Sequence, residues 1–470
     1  MKIATQLLIA SVTAIAFGNA QSPVTSIYQF GGSTDGGNPL GNLTISSTGV
    51  LYGVTYGGGT GSQNTDCAVG CGTVYQLTPP TGAGDWLKTT LYSFMGGTDG
   101  RLPGDGVILF KGSLYGTTVG GGADGAGTAF QLTPPKHGGS QWTEEVIYTF
   151  PTTGDGTDPM AGLLVNSSGD LFGSTFGCGA GCDGTVFELT PPSAPNGLWT
   201  ENTLEAFGPT VSSSMPNGRL ISDKNGNLYG VTTYGGSSLN CTNDNIVIGC
   251  GTVYELQPPT VTGGTWTYVL LHSFQGGLAQ GSAVDDGAYP NSTLVFGPKG
   301  VLYGVTWGGG SGGGPGMANC GPDGCGTVFE LTPPAVAGDG WTETVLYSFG
   351  RTLSDGASPN GPLIFQGTDL LGTTANGGLG YGTIYKLVSP VKRGQPWTEA
   401  QLYTFTGGTD GYYPSSGLIP DKSGAYYGVT YLGGTANCCG NWGTVYKFVP
   451  PSAMYRTPES VEEIQEERHP

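Results

Sequence analysis

Ten cysteines fall into five local pairs: Cys67 with Cys71, Cys178 with Cys182, Cys241 with Cys250, Cys320 with Cys325, and adjacent Cys438 with Cys439. An even count at short spacing in an exported chain points to disulfides. Loops this small gain about 2 kcal/mol each by restricting the unfolded chain. Zinc is the rival use, but it needs about four ligands converging on one point. The pairs lie in separate stretches, and none has a neighbouring histidine. A bridge between Cys438 and Cys439 would strain its own peptide, so those two thiols have a second reading as free groups.

Catalytic chemistry has few residues to work with. The three histidines are His137, His272 and His469, too few and too scattered for a Ser-His-Asp triad or for a copper, zinc or iron site. Two carboxylates about 5 to 10 Å apart suffice for glycoside hydrolysis, and Asp286 and Asp355 are the acids that reading would use. They belong to a recurring Asp-Gly pair, at Asp35, Asp99, Asp155, Asp286, Asp355 and Asp410. Asp and Gly form turns. Calcium is the alternative, and it asks for six to eight converging oxygens. Five aromatic residues, Tyr56, Phe176, Tyr234, Trp307 and Tyr431, recur at one position of a repeated pattern. Their rings are suited to stack on sugar faces beside Asn and Asp acceptors, or to pack between structural units.

The elements that carry these residues are repeated seven times. A Leu-Tyr-Gly-like element has its glycine at Gly53, Gly116, Gly173, Gly230, Gly304, Gly372 and Gly428. A Gly-Thr-Val-Tyr-like element follows, starting at Gly72, Gly127, Gly184, Gly251, Gly326, Gly382 and Gly443. Six tryptophans from Trp86 to Trp397 each lead into a strand ending in Phe. In the first repeat the strands are Asn42–Ser46 (A), Leu51–Tyr56 (B), Thr73–Thr78 (C) and Leu87–Phe94 (D), rich in the β-branched and aromatic residues that sheets favour. The seventh repeat has no D strand, but Ser26-Ile27-Tyr28-Gln29-Phe30 matches Leu91-Tyr92-Ser93-Phe94 in pattern. The N-terminal strand, about 24–30, therefore completes the last sheet and closes a ring, leaving only short edges. Seven four-stranded antiparallel units predict an all-β, seven-bladed β-propeller.

These Leu-Tyr-Gly-x-Thr and Gly-Thr-Val-Tyr elements resemble the GloVer tandem repeat of secreted bacterial proteins with varied C-terminal anchors. The likeness covers about residues 24 to 451. Gly-Gly after strand B and Trp before strand D also resemble kelch repeats. The resemblance implies a propeller and export, and no particular activity.

Antiparallel order places the D–A and B–C loops on one face and the A–B and C–D loops on the other. The Asp-Gly pairs, all the cysteines and the five aromatics belong to the first face, where variable loops sit on a rigid ring. The formal charge is −18 at pH 7. Repulsion from phosphate argues against nucleic acid and anionic membranes. Lys2, the apolar run from Leu7 to Phe17 and Gly18-Asn19-Ala20 read as a signal peptide at 1–20, with no later membrane-crossing segment. The propeller is expected over 21–451 and a polar acidic tail over 452–470. The expected protein is a secreted or cell-surface monomer, without cofactor unless calcium, that binds a glycan or surface partner. A glycan-cleaving enzyme and a structural envelope protein are the alternatives.

Overall fold

The computed structural model describes residues 22–451 apart from 62–66, 137–138, 140, 153, 155, 178–182, 195–196, 209–213, 244–245, 262, 278–284, 313–319, 321–322, 337, 393 and 435–441. The expected leader and tail, Asp155, His137, His469 and the pairs Cys178–Cys182 and Cys438–Cys439 lie outside the described residues. Among the described residues no helix is long and apolar enough to cross a membrane.

Seven antiparallel sheets form the seven blades of a β-propeller. Blade one runs Gly37–Ile45 (A), Leu51–Gly57 (B), Thr73–Thr78 (C) and Leu87–Ser93 (D). The ring closes as the split repeat predicts. Val24–Gln29 pairs antiparallel with Thr444–Phe448, from Val24 opposite Phe448 to Gln29 opposite Thr444.

Strand A departs from the sequence expectation. It begins at Gly37 rather than Asn42, and its register shifts between Leu40 and Thr44. In blade two it is two pieces, Arg101–Pro103 and Ile108–Phe110, both paired with Ser113–Gly120. The break follows Pro103, across residues 104–107, where a Cβ on Gly106 would strike Asn42 O of the preceding blade.

The hydrophobic core lies in the seams between blades. The closing seam packs Phe30, Leu43, Leu51, Tyr75 and Leu77 against Tyr427, Val429 and Val445. The Phe that ends each D strand meets the strand-C aromatic of the next blade edge to face. Phe94 and Phe130 have ring centroids 5.1 Å apart, and Phe349 and Tyr385 are 4.9 Å apart. Such pairs add about 0.5–1.5 kcal/mol beyond their burial. The recurrent Trp closes the same seams from the opposite side, as Trp142 does against Tyr52 at 6.4 Å. Within each blade the Thr of strand B hydrogen-bonds the Thr of strand C, for example Thr55 to Thr73 at 2.8 Å, both fully buried.

Two repeated glycines have steric causes. A Cβ on Gly53 would strike the buried Tyr75 ring. Gly72 has φ 93°, and a Cβ there would meet Pro103 of the next blade. That contact recurs at all seven seams. The residue before each such proline is non-glycine with positive φ: Asn38, Leu102, Asp158, Met215, Tyr289, Ser358 and Tyr413, at 54–60°. This conformation costs about 1–2 kcal/mol per residue. Each of these residues donates its N–H to the preceding blade, as Tyr289 does to Cys250 O at 2.8 Å and Ser358 to Cys325 O at 2.8 Å. The strain is held by a backbone bond across every seam.

Candidate functional site

The Asp-Gly carboxylates act as latches between blades. Asp99 accepts from the Tyr92 hydroxyl at 3.0 Å and from Met95 N at 2.8 Å. Asp355 accepts from the Tyr347 hydroxyl at 3.1 Å and from Arg351 N at 3.0 Å. Asp35 and Asp410 make the same two contacts with their own neighbours, and Asp35 also pairs with Lys88 at 2.9 Å. Each described Asp thus ties the end of one D strand to the start of the next blade. Among the described residues no three His, Cys, Asp or Glu gather as a metal site.

His272 occupies the tyrosine position before Asp286. Its Nε2 lies 3.6 Å from Asp286 Oδ2, at the base of a D–A loop. The bulge in each D strand turns this position toward the next blade's first residues. Asp286 is 4% exposed and accepts from Gln275 N at 2.8 Å. Neither Asp286 nor Asp355 lines the clefts described next.

The five aromatics expected on this face do not share one fate. Phe176, Tyr234 and Trp307, from blades three, four and five, wall a single cleft of about 450 Å³. Tyr289 joins them, 5.7 Å from Tyr234 in an edge-to-face pair. Asn217, Asn291 and Asp323 add polar groups to the same cleft. Trp307 also lines a second cleft of about 430 Å³, with Cys320, Leu353, Ser358 and Asn376. Tyr413 bridges Trp307 at 6.3 Å and Tyr431 at 6.2 Å. Tyr431 and Tyr56 line neither cleft and sit further round the rim. Interblade packing and cleft lining therefore coexist: Tyr234 touches the next blade's Tyr289 and stays half-buried.

Burial, then the Asp323 carboxylate and Tyr234, push the Tyr289 phenol up to about 12. Burial raises Tyr413 and Tyr431 as well. These phenols stay protonated near neutral pH and can donate hydrogen bonds.

Two disulfides hold the cleft lips. Cys241–Cys250 spans Thr242 and Ile248, which line the first cleft, with Cα atoms 5.2 Å apart. Cys320–Cys325, with Cα atoms 5.0 Å apart, brackets Asp323. A third bridge, Cys67–Cys71, staples blade one.

Asn217 and Asn291 also line a narrower cavity of about 200 Å³ on the ring axis, where all seven A strands meet. Arg219 of blade four reaches past blade three to Asp105 of blade two, Nη2 to Oδ2 3.5 Å. Asp105 Oδ1 accepts from Asn42 N at 2.9 Å. Neither residue of this pair is among the candidates that the sequence analysis singles out. Its signal lay in the seven Pro-x-x-x-Leu-like segments of strand A, where Asp105 and Arg219 are the only charges among the intervening positions. Tyr289 and Tyr413 were missed because they stand at strand entries, before Pro290 and Pro414, rather than at strand-B ends.

No curated protein compared with the chain matches it. Among solved structures, an ulvanlyase of a polysaccharide lyase family shares 11% identity over 93% of this chain and 99% of its own, with a TM-score of 0.48. A PQQ-bound aldose sugar dehydrogenase from Streptomyces coelicolor shares 14% over 90% and 97%, at 0.39. The NanB sialidase of Streptococcus pneumoniae shares 11% over 93% and 72%, at 0.40. Likenesses this weak carry nothing about chemistry. The kelch likeness is a loose one. The profile of the Gloeobacter/Verrucomicrobia repeat, in contrast, matches residues 61–318 and 239–467. Those matches span most of the ring and contain the elements that build its seams, so the chain belongs to the Gloeobacter/Verrucomicrobia repeat family.

Proposed function

We propose that this protein is an exported, non-catalytic β-propeller that binds carbohydrate in the aromatic clefts of its B–C and D–A loop face. One observation carries the reading: Trp307 is the shared wall of two clefts, with Phe176, Tyr234 and Tyr289 around it and Asn217 and Asn291 lining the first. Rings offer flat surfaces to the C–H faces of sugars, and the amides offer both donors and acceptors to hydroxyls. Cleft volumes of 430–450 Å³ fall in the usual range for small-ligand sites, about 300–1,000 Å³. Three stapled loops keep the face in shape and agree with an oxidising, extracellular setting, as does the signal-peptide reading of residues 1–20.

The non-catalytic assignment rests on the acids. Glycoside hydrolysis calls for two carboxyl groups flanking the bond. Asp323 is the single carboxylate among the described lining residues of either cleft. Asp286 and Asp355 are buried and occupied by interblade hydrogen bonds.

The test is a panel of soluble polysaccharides scored for retention and for released reducing ends, with and without calcium. Retention without release is expected. Trp307→Ala should then weaken binding about tenfold or more, as truncated aromatic anchors do, with little change in thermal unfolding because Trp307 is only half-buried. Unchanged affinity would remove Trp307 from the site, and released ends would establish the enzyme reading instead.

A further inference from the structure

We infer that the glycan taken by these clefts carries protonated amino groups, as in unacetylated hexosamine residues. The inference rests on the carbohydrate reading above and adds the charge of the ligand.

The first ground is the charge of the face. The seven segments joining strands B to C contain no lysine or arginine. They contain five aspartates: Asp66, Asp124, Asp183, Asp244 and Asp323. Of these, Asp124, Asp183 and Asp323 lie among the described residues, and Asp323 lines the first cleft. The lysines of blades two, four, five and seven that follow strand A, Lys111, Lys224, Lys299 and Lys422, belong to the opposite face. The B–C segments of this face are therefore acidic, and their potential repels carboxylated or sulfated polymers and draws in cations.

The second ground is the cleft itself. Asp323 stands exposed at the lip, in the loop closed by Cys320–Cys325, and its carbonyl accepts from Gly309 N at 2.6 Å. Asp323 and Tyr289 both line the first cleft, and the carboxylate helps to raise the Tyr289 phenol. Trp307, Tyr234, Tyr289 and Phe176 line the same space. Aromatic faces attract a cation through the ring quadrupole, Trp most strongly. An ammonium held between those rings and Asp323 gains both interactions, whereas an acetamide at the same carbon gains neither. No lysine or arginine lines either cleft among the described residues to oppose it.

The experiment titrates the oxidised full chain with β-1,4-linked glucosamine hexamer and, separately, with N-acetylglucosamine hexamer, at pH 6 and low salt. The aminated hexamer should bind about tenfold more tightly or better. The preference should shrink in about 0.5 M salt, where screening acts within a few ångströms. Asp323→Asn should cut that preference several-fold, and a preference of undiminished size in Asp323→Asn would overturn the inference. If both hexamers bind equally and Trp307→Ala abolishes both, carbohydrate binding stands and the amine preference is wrong. If Trp307→Ala binds the aminated hexamer as well as the unaltered protein does, bulk charge alone is at work and the site is misassigned. Binding of neither hexamer overturns the amine inference outright, leaving the carbohydrate reading to the wider panel.

Discussion

Replacing Gly251 with alanine puts a methyl group into the seam between blades four and five. Gly251 has φ 97°, and its Cβ would overlap the Pro290 ring and lie 2.6 Å from Thr232 O and 2.8 Å from Thr233 O. Two costs follow. A left-handed non-glycine residue loses about 1–2 kcal/mol, and overpacking a close-fitted interface loses about 1–3 kcal/mol more. The total is about 2–5 kcal/mol, a large share of a domain's net stability. Gly263 supplies the control, with φ 77° and nothing within 4 Å of its Cβ position, so Gly263→Ala meets only the first cost. Urea unfolding of both variants under oxidising conditions measures the difference, which isolates the seam contact at about 1–3 kcal/mol. Pro290 lies between Tyr289 and Asn291, both cleft residues, so Gly251→Ala should weaken glycan binding too. Equal loss of stability in the two variants would show that the glycine–proline contact does not hold the blades together.

The buried acids predict an unusual pH response. Burial, then Asp286 and Asp285, push Glu343 up to about 8, and burial with neighbouring acids raises Glu144 and Glu399 to about 7. A carboxyl whose folded value exceeds its unfolded one binds more protons when folded, so stability should fall as pH rises from about 4.5 to about 8. Glu343→Gln should flatten that slope and raise the urea midpoint at pH 8; an unchanged slope would count against it. Ring closure is testable by deleting residues 22–30. The deletion removes Val24 and Phe30, 5% and 1% exposed, and uncovers the edge of Thr444–Phe448. Cooperative unfolding should be lost and restored by moving the segment after residue 451. A truncated chain that unfolds at the native midpoint would disprove closure.

Much of this was legible because each repeated residue meets the same neighbour seven times. The Gly-Thr-Val-Tyr glycine and the D-strand Phe each announce a seam by recurring, and the threonine pair announces a blade. The repeat therefore stated the blade number, and its missing seventh D strand stated the closure. Local pairing was legible for the three described disulfides, because short loops bring the cysteines together whatever the surroundings. The inner strand was misjudged because its proline and glycines look like turn residues. The glycines let neighbouring A strands approach on the axis and the proline packs on the preceding blade's Gly-Thr-Val-Tyr glycine, constraints from other blades rather than from local pattern.

The amino-acid sequence by itself determined the seven-bladed ring, the face that carries the loops and the acidity of that face, since periodicity and composition are local properties. Only the tertiary structure decided that Phe176, Tyr234 and Trp307 share a cleft while Tyr56 does not, that Asp105 and Arg219 meet across a blade, and that the Asp-Gly carboxylates face inward as latches. The physical reason is distance along the chain. Residues tens to hundreds of positions apart meet only through the curvature and stagger of the ring, and no single repeat encodes how far one blade is rotated from the next.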